Sequence, residues 1–348
     1  MNIGGRLVGA DHPPFIIAEL SGNHNQSLDT ARAMVKAAAD SGAHAIKLQT
    51  YTADSMTLDV NERGFVIEEP DSLWHGENLY RLYQKAATPY SWHKELFEYA
   101  NALGMLAFSS PFDEAAVDFL DGLNVPCFKI ASFELTDIPL IRKAASTKKP
   151  LIISTGMASL SEIELAVTTA KHAGCDDIIL LKCTSTYPAE PANTNLITIS
   201  HMSNAFQCPV GLSDHTGGIG VAVASVALGA PVIEKHFVLD RSAGGVDAAF
   251  SLEPCELEAL VNETKRAWQA LGRVTYGGSQ AEDKAKQYRR SIYVSNDIAP
   301  GEILGTHNLK IVRPAFGLAP KHWDSVIGKR STGVLKKGTA LGWEHIAQ

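Results

Sequence analysis

Long apolar runs are missing from this 348-residue sequence. None approaches the roughly eighteen residues that a membrane-spanning helix needs. The opening residues, MNIGGRLVGADHPPF, place no basic flank ahead of an apolar core, so no signal peptide is expected. Cysteine is sparse: five occur, at 127, 175, 183, 208 and 255, and no CxxC pair is among them. An odd count without zinc-ribbon spacing predicts reduced, mostly buried thiols and a cytoplasmic setting. Dense Lys/Arg runs are also lacking and the formal net charge is −7, so no nucleic-acid partner is expected. A locally basic pocket for an anionic substrate stays compatible with that balance. No GxGxxG follows a strand-like run, which removes the dinucleotide-binding signature. No nucleophile elbow and no Cys-His pair with a nucleophile motif is present, which disfavours covalent acyl chemistry.

Hydrophobic residues make up 45% of the chain and charged residues 20%, the balance of a folded globular protein. Eight short β-rich runs recur: FIIAE (15–19), AIKLQTY (45–51), MLAFSS (105–110), CFKIAS (127–132), LIIST (151–155), IILLKCT (178–184), VGLSD (210–214) and VIEKHF (232–237). Helical patterns separate them. Ser27 is placed to cap the helix that ends at Gly42. Thr88-Pro89 starts another with proline in its first turn. Ser159 and Glu162 have capping-box spacing, and GIGVAVASVALGA reads as a buried helix of small residues. Strands alternating with helices predict a parallel sheet. The count of eight favours a (β/α)8 TIM barrel over an open doubly wound sheet. The barrel is assigned to residues 1–275, with a closing helix opened by Pro254, and a polar linker to 276–290. A small β-rich domain is assigned to 291–348 on the runs SIYVSND and LKIVRP and the Pro300-Gly301 turn. Residues 52–87 form a long insertion after the second strand, rich in interleaved aromatic and charged residues, which reads as a lid or as packing for one barrel face.

The strand ends turn polar: Glu19, Lys47 with Gln49, Ser109-Ser110, Lys129 with Ser132, Ser154-Thr155, Lys182 to Ser185, Ser213-Asp214-His215 and Glu234-Lys235-His236. A barrel of this type carries its chemistry there. Residues i and i+2 share a strand face, so Ser213 goes with His215 and Glu234 with His236. In a closed barrel the seventh, eighth and first strands are neighbours about 4.8 Å apart. His215 and His236 are thus placed to chelate one divalent ion, with Glu19 in the same patch. The bland alternative is a histidine bonded to a neighbouring backbone carbonyl. Ser110, Lys129, Ser132, Ser154 and Ser213, with Lys47, suit a phosphate or carboxylate anion. For any single serine, helix capping is the alternative. Asn23, His24 and Asn25 begin the loop over the metal patch, where they either shape a pocket or tie the loop down by side-chain bonds to the backbone.

Taken together, IIAEL-SG-NHNQSL, AIKLQTYTADSMT, FSSPFD, FKIASFELTD, ISTGM, LKCTSTYP, GLSDHT and VIEKHF resemble the sialic acid synthase family. Its tail, from about residue 290, is similar to the antifreeze-like (SAF) domain that ends those enzymes. The resemblance covers essentially the whole chain. It implies a metal-dependent, phosphoenolpyruvate-dependent transferase that condenses phosphoenolpyruvate with an N-acetylated amino sugar. Ser21 and Gln26 depart from the AEIGxNHNG pattern of sialic acid synthases, and Ser185 stands at the asparagine of CTNxYP. With the LQTYTADSMT, WHGENLYRLYQKAATPYSWH and FDEAAVDFLD phrases, these departures lean toward the branch whose sugar is 2,4-diacetamido-2,4,6-trideoxy-L-altrose.

By resemblance, His215 and His236 are metal ligands for Mn²⁺ or Mg²⁺. Glu19 is the carboxylate beside the metal-bound water. Lys47, Ser110, Lys129, Ser132, Ser154, Ser185 and Ser213 hold phosphoenolpyruvate. Gln49, Glu134, Tyr187 and Asp247 face the sugar. Glu19, Lys47, Lys129 and Glu134 form the catalytic set. Arg313 would reach the partner subunit's site in a domain-swapped homodimer. Three rivals stay open: a synthase of N-acetylneuraminic or legionaminic acid, another metal-dependent aldolase-type barrel, and a non-catalytic carbohydrate-binding protein.

Overall fold

The computed structural model describes residues 1–70 and 72–347. Asp71, inside the predicted insertion, and Gln348, last in the predicted tail, lie outside the described residues. The chain divides into two units, Met1–Gly272 and Arg273–Gln348.

In the first unit, eight parallel strands close on themselves: β1 (Phe15–Glu19), β2 (Ala45–Thr50), β3 (Leu106–Pro111), β4 (Phe128–Ile130), β5 (Leu151–Ser154), β6 (Ile178–Cys183), β7 (Val210–Asp214) and β8 (Val232–His236). This is the predicted barrel. Most strand residues are buried, as expected where helices cover one face and the barrel interior the other. The ring closes between β8 and β1, with His236 in register with Glu19 and Glu234 with Ile17. The strand bounds are shorter than the apolar runs. The fourth run, 127–132, yields only Phe128–Ile130, because Ser132 already has helical backbone and leads into the 3-10 turn Phe133–Thr136.

Ten α-helices are described in this unit: α1 (Leu28–Asp40), α2 (Ala53–Met56), α3 (Leu79–Ala86), α4 (Tyr90–Ala102), α5 (Glu114–Gly122), α6 (Ile138–Ser146), α7 (Leu160–His172), α8 (Thr198–Phe206), α9 (Gly220–Ala227) and α10 (Pro254–Leu271). Capping chemistry sets several starts. The Ser27 hydroxyl accepts from the Thr30 N–H at 3.2 Å. Ser159 and Glu162 form the reciprocal capping box, and Pro254 is the first residue of α10. Pro89 is different: it sits one residue before α4, with extended ψ, so it precedes the first turn instead of filling it. A hairpin not foreseen from the sequence, Asn2–Ile3 with Arg6–Leu7, turns through Gly4 and Gly5, both at positive φ. It tucks Ile3 fully into the barrel core. No helix among the described residues is long and apolar enough to cross a membrane.

The second unit has its own core, including Ile292, Val294, Ile298, Leu304, Leu309 and Leu341. Its antiparallel pair is β9 (Ser291–Val294) and β10 (Leu309–Val312). The polar stretch 276–290 carries a short helix, Gln280–Asp283, and a 3-10 turn, Lys284–Tyr288.

Gly211 is required by close approach of two strands. A Cβ there would stand 2.3 Å from the Val232 carbonyl oxygen, which is backbone and cannot swing aside. Gly211→Ala is therefore expected to lower the unfolding free energy by about 1–3 kcal/mol in chemical denaturation. Unchanged stability would show that the β7–β8 gap opens freely.

Candidate active site at the barrel mouth

A cavity of about 360 Å³ opens at the C-terminal ends of the strands. Its floor is a buried ion cluster. Lys47 Nζ lies 2.9 Å from Glu19 Oε2 and 2.9 Å from Glu234 Oε1. Lys129 Nζ is 3.7 Å from the same Glu234 oxygen and donates to Ser154 Oγ at 2.7 Å and the Ile130 carbonyl at 3.0 Å. Gln49 Nε2 donates to Glu19 Oε1 at 2.7 Å, and Ser213 Oγ to Glu234 Oε1 at 3.2 Å. Strand alternation aims all of these inward, and all four charged groups are at most 3% exposed.

Burial sets the electrostatics. It opposes the charge on Glu19, but His236 and Lys47 outweigh it and hold the carboxyl ionised, far below the ordinary range. Burial likewise opposes charge on Lys47, yet Glu19 and Glu234 raise its pKa. For Lys129 burial wins and the pKa falls. The Cys183 thiol, disfavoured as thiolate by burial, is still lowered to about 7, chiefly by His215. For Glu134 burial outweighs a backbone hydrogen bond and the charge of Lys129 and pushes it up to about 7.

The two histidines stand together, ring centroids 5.3 Å apart. His215 Nδ1 bonds the Thr184 carbonyl at 2.9 Å, which leaves Nε2 free of that bond. His236 Nε2 is 3.2 Å from Glu19 Oε2. Its Nδ1 is 3.4 Å from Asp247 Oδ2, within ion-pair distance but not hydrogen-bonded. Among the described residues, no set of three His, Cys, Asp or Glu side chains surrounds one metal position. Two imidazoles beside ionised carboxylates are nevertheless a donor set suited to a divalent ion that keeps open positions for oxygen ligands.

Ser132, Glu134, Ser154, Ser185, Tyr187 and Asp247 line the cavity, as do both histidines and the floor residues. The Ser132 and Ser185 hydroxyls bond each other at 2.8 Å. Gly156 makes this possible: at φ +47°, its absent Cβ would fall 2.6 Å from Ser132 Cβ and 2.7 Å from Ser185 Oγ. Ser110 differs from expectation. It is buried opposite Gln49 with no hydrogen-bond partner, and it does not reach the cavity wall. Arg313 belongs to the second unit, next to the end of β10. Asn23, His24 and Asn25 tie the loop down and do not line the cavity. Asn23 Nδ2 donates to the Phe237 carbonyl at 3.0 Å, and His24 Nε2 meets Thr88 Oγ1 at 3.1 Å.

The other wall comes from the insertion after β2. Met56, Ile67, Trp74, Leu79, Leu82 and Tyr83 line it. Trp74 Nε1 donates to the Val246 carbonyl at 3.1 Å and its ring is 6.0 Å from that of Tyr187, so the insertion is tied across one side of the cavity.

Residues 34–276 match the NeuB family and residues 289–347 the SAF domain. The chain belongs to the NeuB family. It is 42% identical to pseudaminic acid synthase of Helicobacter pylori over 96% of this chain and 98% of that one. It is 44% identical to pseudaminic acid synthase of Campylobacter jejuni over 95% of this chain and 96% of that one. Among solved structures, N-acetylneuraminic acid synthetase of Leptospira borgpetersenii in complex with citrate aligns with a TM-score of 0.73 and 34% identity, covering 82% of this chain and 94% of that chain.

In this NeuB-family barrel, Ser21, Cys183, Glu234 and the apolar insertion residues complete a cavity that sequence reasoning had only partly assembled. Glu234 carried a signal, since it shares its strand face with His236. The insertion residues carried none, because no strand register fixes where a loop side chain lands.

Glu134 provides a pH test. Its folded pKa of about 7 lies above the ordinary 4.5, so the folded state binds the extra proton between those values. Stability conferred by the wild-type carboxyl therefore falls as pH rises from 4.5 to 7. In urea titrations, Glu134→Gln should gain relative to wild type across that window and plateau above it, by at most about 3 kcal/mol. A difference independent of pH would refute the buried, proton-holding carboxyl.

Proposed function

We propose that this chain is a pseudaminic acid synthase: it condenses phosphoenolpyruvate with 2,4-diacetamido-2,4,6-trideoxy-L-altrose, cleaves the C–O bond to phosphate and gives a nonulosonic acid. The observation that carries the proposal is the division of one cavity between a Lys/Ser floor and an apolar wall. An anion with two charged groups suits the first. A diacetamido, 6-deoxy sugar suits the second better than a hydroxyl-rich one. Near full-length identity to two pseudaminic acid synthases supports the choice of sugar.

His215 and His236 would hold a divalent ion, Mn²⁺ or Mg²⁺, which when bound supplies Lewis-acid polarisation of a substrate oxygen. The chain's own residues do the rest. Lys47 and Lys129, with Ser132, Ser154, Ser185 and Ser213, hold the phosphate and carboxylate, so positioning is a large part of the catalysis. C3 of phosphoenolpyruvate attacks the aldehyde carbon of the open-chain sugar. The positive charge that develops at C2 faces Glu19 and Glu234. Water adds to C2, and its proton passes to the new alkoxide. Glu19, kept ionised by Lys47 and His236, is suited to orient that water and too weak a base to retain its proton. The C2 hydroxyl proton leaves with phosphate as the C–O bond breaks. Gln49, Glu134, Tyr187 and Asp247 contact the sugar, with Glu134 able to donate while protonated.

Oligomeric state belongs to the same proposal: a homodimer in which Arg313 of the SAF domain reaches the partner's cavity. Arg313→Ala should leave the dimer mass intact in light scattering while turnover falls at least about tenfold. An active monomer would refute the exchange. His236→Ala should lose retained divalent metal in elemental analysis after dialysis while keeping its circular dichroism spectrum. Phosphate release should be faster with the diacetamido altrose sugar than with N-acetylmannosamine, and equal or greater use of the latter would reject the assignment.

A further inference from the structure

Ser21 follows β1 and adopts φ 46°, a left-handed conformation that glycine takes without strain and a serine does not. It is buried, at 2% exposure, so its hydroxyl is withheld from water. The hydroxyl donates to Asp247 Oδ2, the same oxygen that faces His236 Nδ1. Asp247 is fixed from two other sides. Its N–H donates to Asn23 Oδ1 at 3.1 Å, and its carbonyl accepts from Ser251 Oγ at 2.7 Å. Ser21 and Asp247 both line the cavity, together with the apolar Trp74 and Val246. The adjoining Gly22 is packed against Ala86 at the end of α3, where a Cβ would come within 3.0 Å of the Ala86 Cα and Cβ.

We propose that Ser21 is a specificity-determining residue: its hydroxyl satisfies Asp247 Oδ2, an acceptor that a substrate hydroxyl would otherwise have to satisfy. A site built to bond a substrate hydroxyl rejects the analogue lacking it, because a buried polar group is then left unpaired. Ser21 reverses that logic. Asp247 Oδ2 is supplied from within the chain, so a sugar carrying methyl and acetamido groups in place of hydroxyls does not leave that oxygen unpaired, while Oδ1 stays available to the sugar. This inference rests on the synthase reading above and names the feature that sets its sugar preference.

The test compares wild type, Ser21→Gly and Ser21→Ala in phosphate release, with saturating phosphoenolpyruvate and each sugar separately. Both variants should lower the ratio of kcat/KM for the diacetamido altrose sugar to that for N-acetylmannosamine by about tenfold. The change should fall mainly on the sugar KM, and the KM for phosphoenolpyruvate should stay within about twofold, which a general loosening of the barrel would not spare. Ser21→Gly should keep a higher Tm than Ser21→Ala, because both lose the hydroxyl and only glycine relieves the left-handed strain. A wild type that prefers the diacetamido sugar, with an unchanged ratio in both variants, overturns the role of Ser21 alone. A wild type that turns over neither sugar overturns the synthase reading and this inference with it.

Discussion

Lys47 is shared by two buried carboxylates, Glu19 and Glu234, each 2.9 Å away, and the mouth of the barrel is organised by that arrangement. Burying three charges is costly unless the geometry is close and the remaining lone pairs are met. Here they are met only in part. Gln49 completes Glu19 and Ser213 supports Glu234, but Glu234 Oε2 is left without a partner. Lys129 stands beside the same carboxylate, so two lysines and two glutamates nearly cancel. On the proposed function, an arriving anion would meet lysines that Glu234 already engages, and its binding would exchange partners within a preset cluster.

That cluster exists because the sheet closes. Glu19, Lys47 and Glu234 lie on β1, β2 and β8, which are far apart in the sequence and adjacent in the ring. The in-register pairing of His236 with Glu19 brings the second histidine onto the same patch. Both facts were legible in the sequence. Period-two alternation decides which strand-end residues face inward, and a count of eight decides that the first and last strands touch. The residues so placed came out on the cavity wall, with Ser110 the exception among those from the first unit. Ser110 is in register with Gln49, which does line the cavity, and alternation does not decide which of two opposed side chains reaches it.

Other parts had no such signal. The insertion after β2 is fixed by local contacts, such as the Trp74 indole on the Val246 carbonyl and Gln26 Nε2 on the carbonyls of Lys85 and Ala87. Which of its apolar side chains would line a cavity could not be read from spacing. Ser21 and Gln26 stood out only as departures from a pattern. The backbone explains them: both are at positive φ, and each has a side-chain bond that offsets the conformational cost.

The two accounts of the histidines, ligand or structural, turn out to be compatible. His215 bonds the Thr184 carbonyl, as the bland account requires. A ligating imidazole ordinarily gives its second nitrogen to a carbonyl or carboxylate, which fixes the ring and its tautomer. The bond to Thr184 thus removes one rotational freedom and leaves one nitrogen for another partner. His236 is held by carboxylates on both sides, Glu19 and Asp247, and the Asp247 contact is long and not hydrogen-bonded. The Ser21 hydroxyl donates to the same Asp247 oxygen that faces that ring. Asp247 on the cavity wall therefore stands between the two, joined to Ser21 by a hydrogen bond and to the His236 ring by an ion-pair contact, so a change at Ser21 reaches the ring only through that carboxylate.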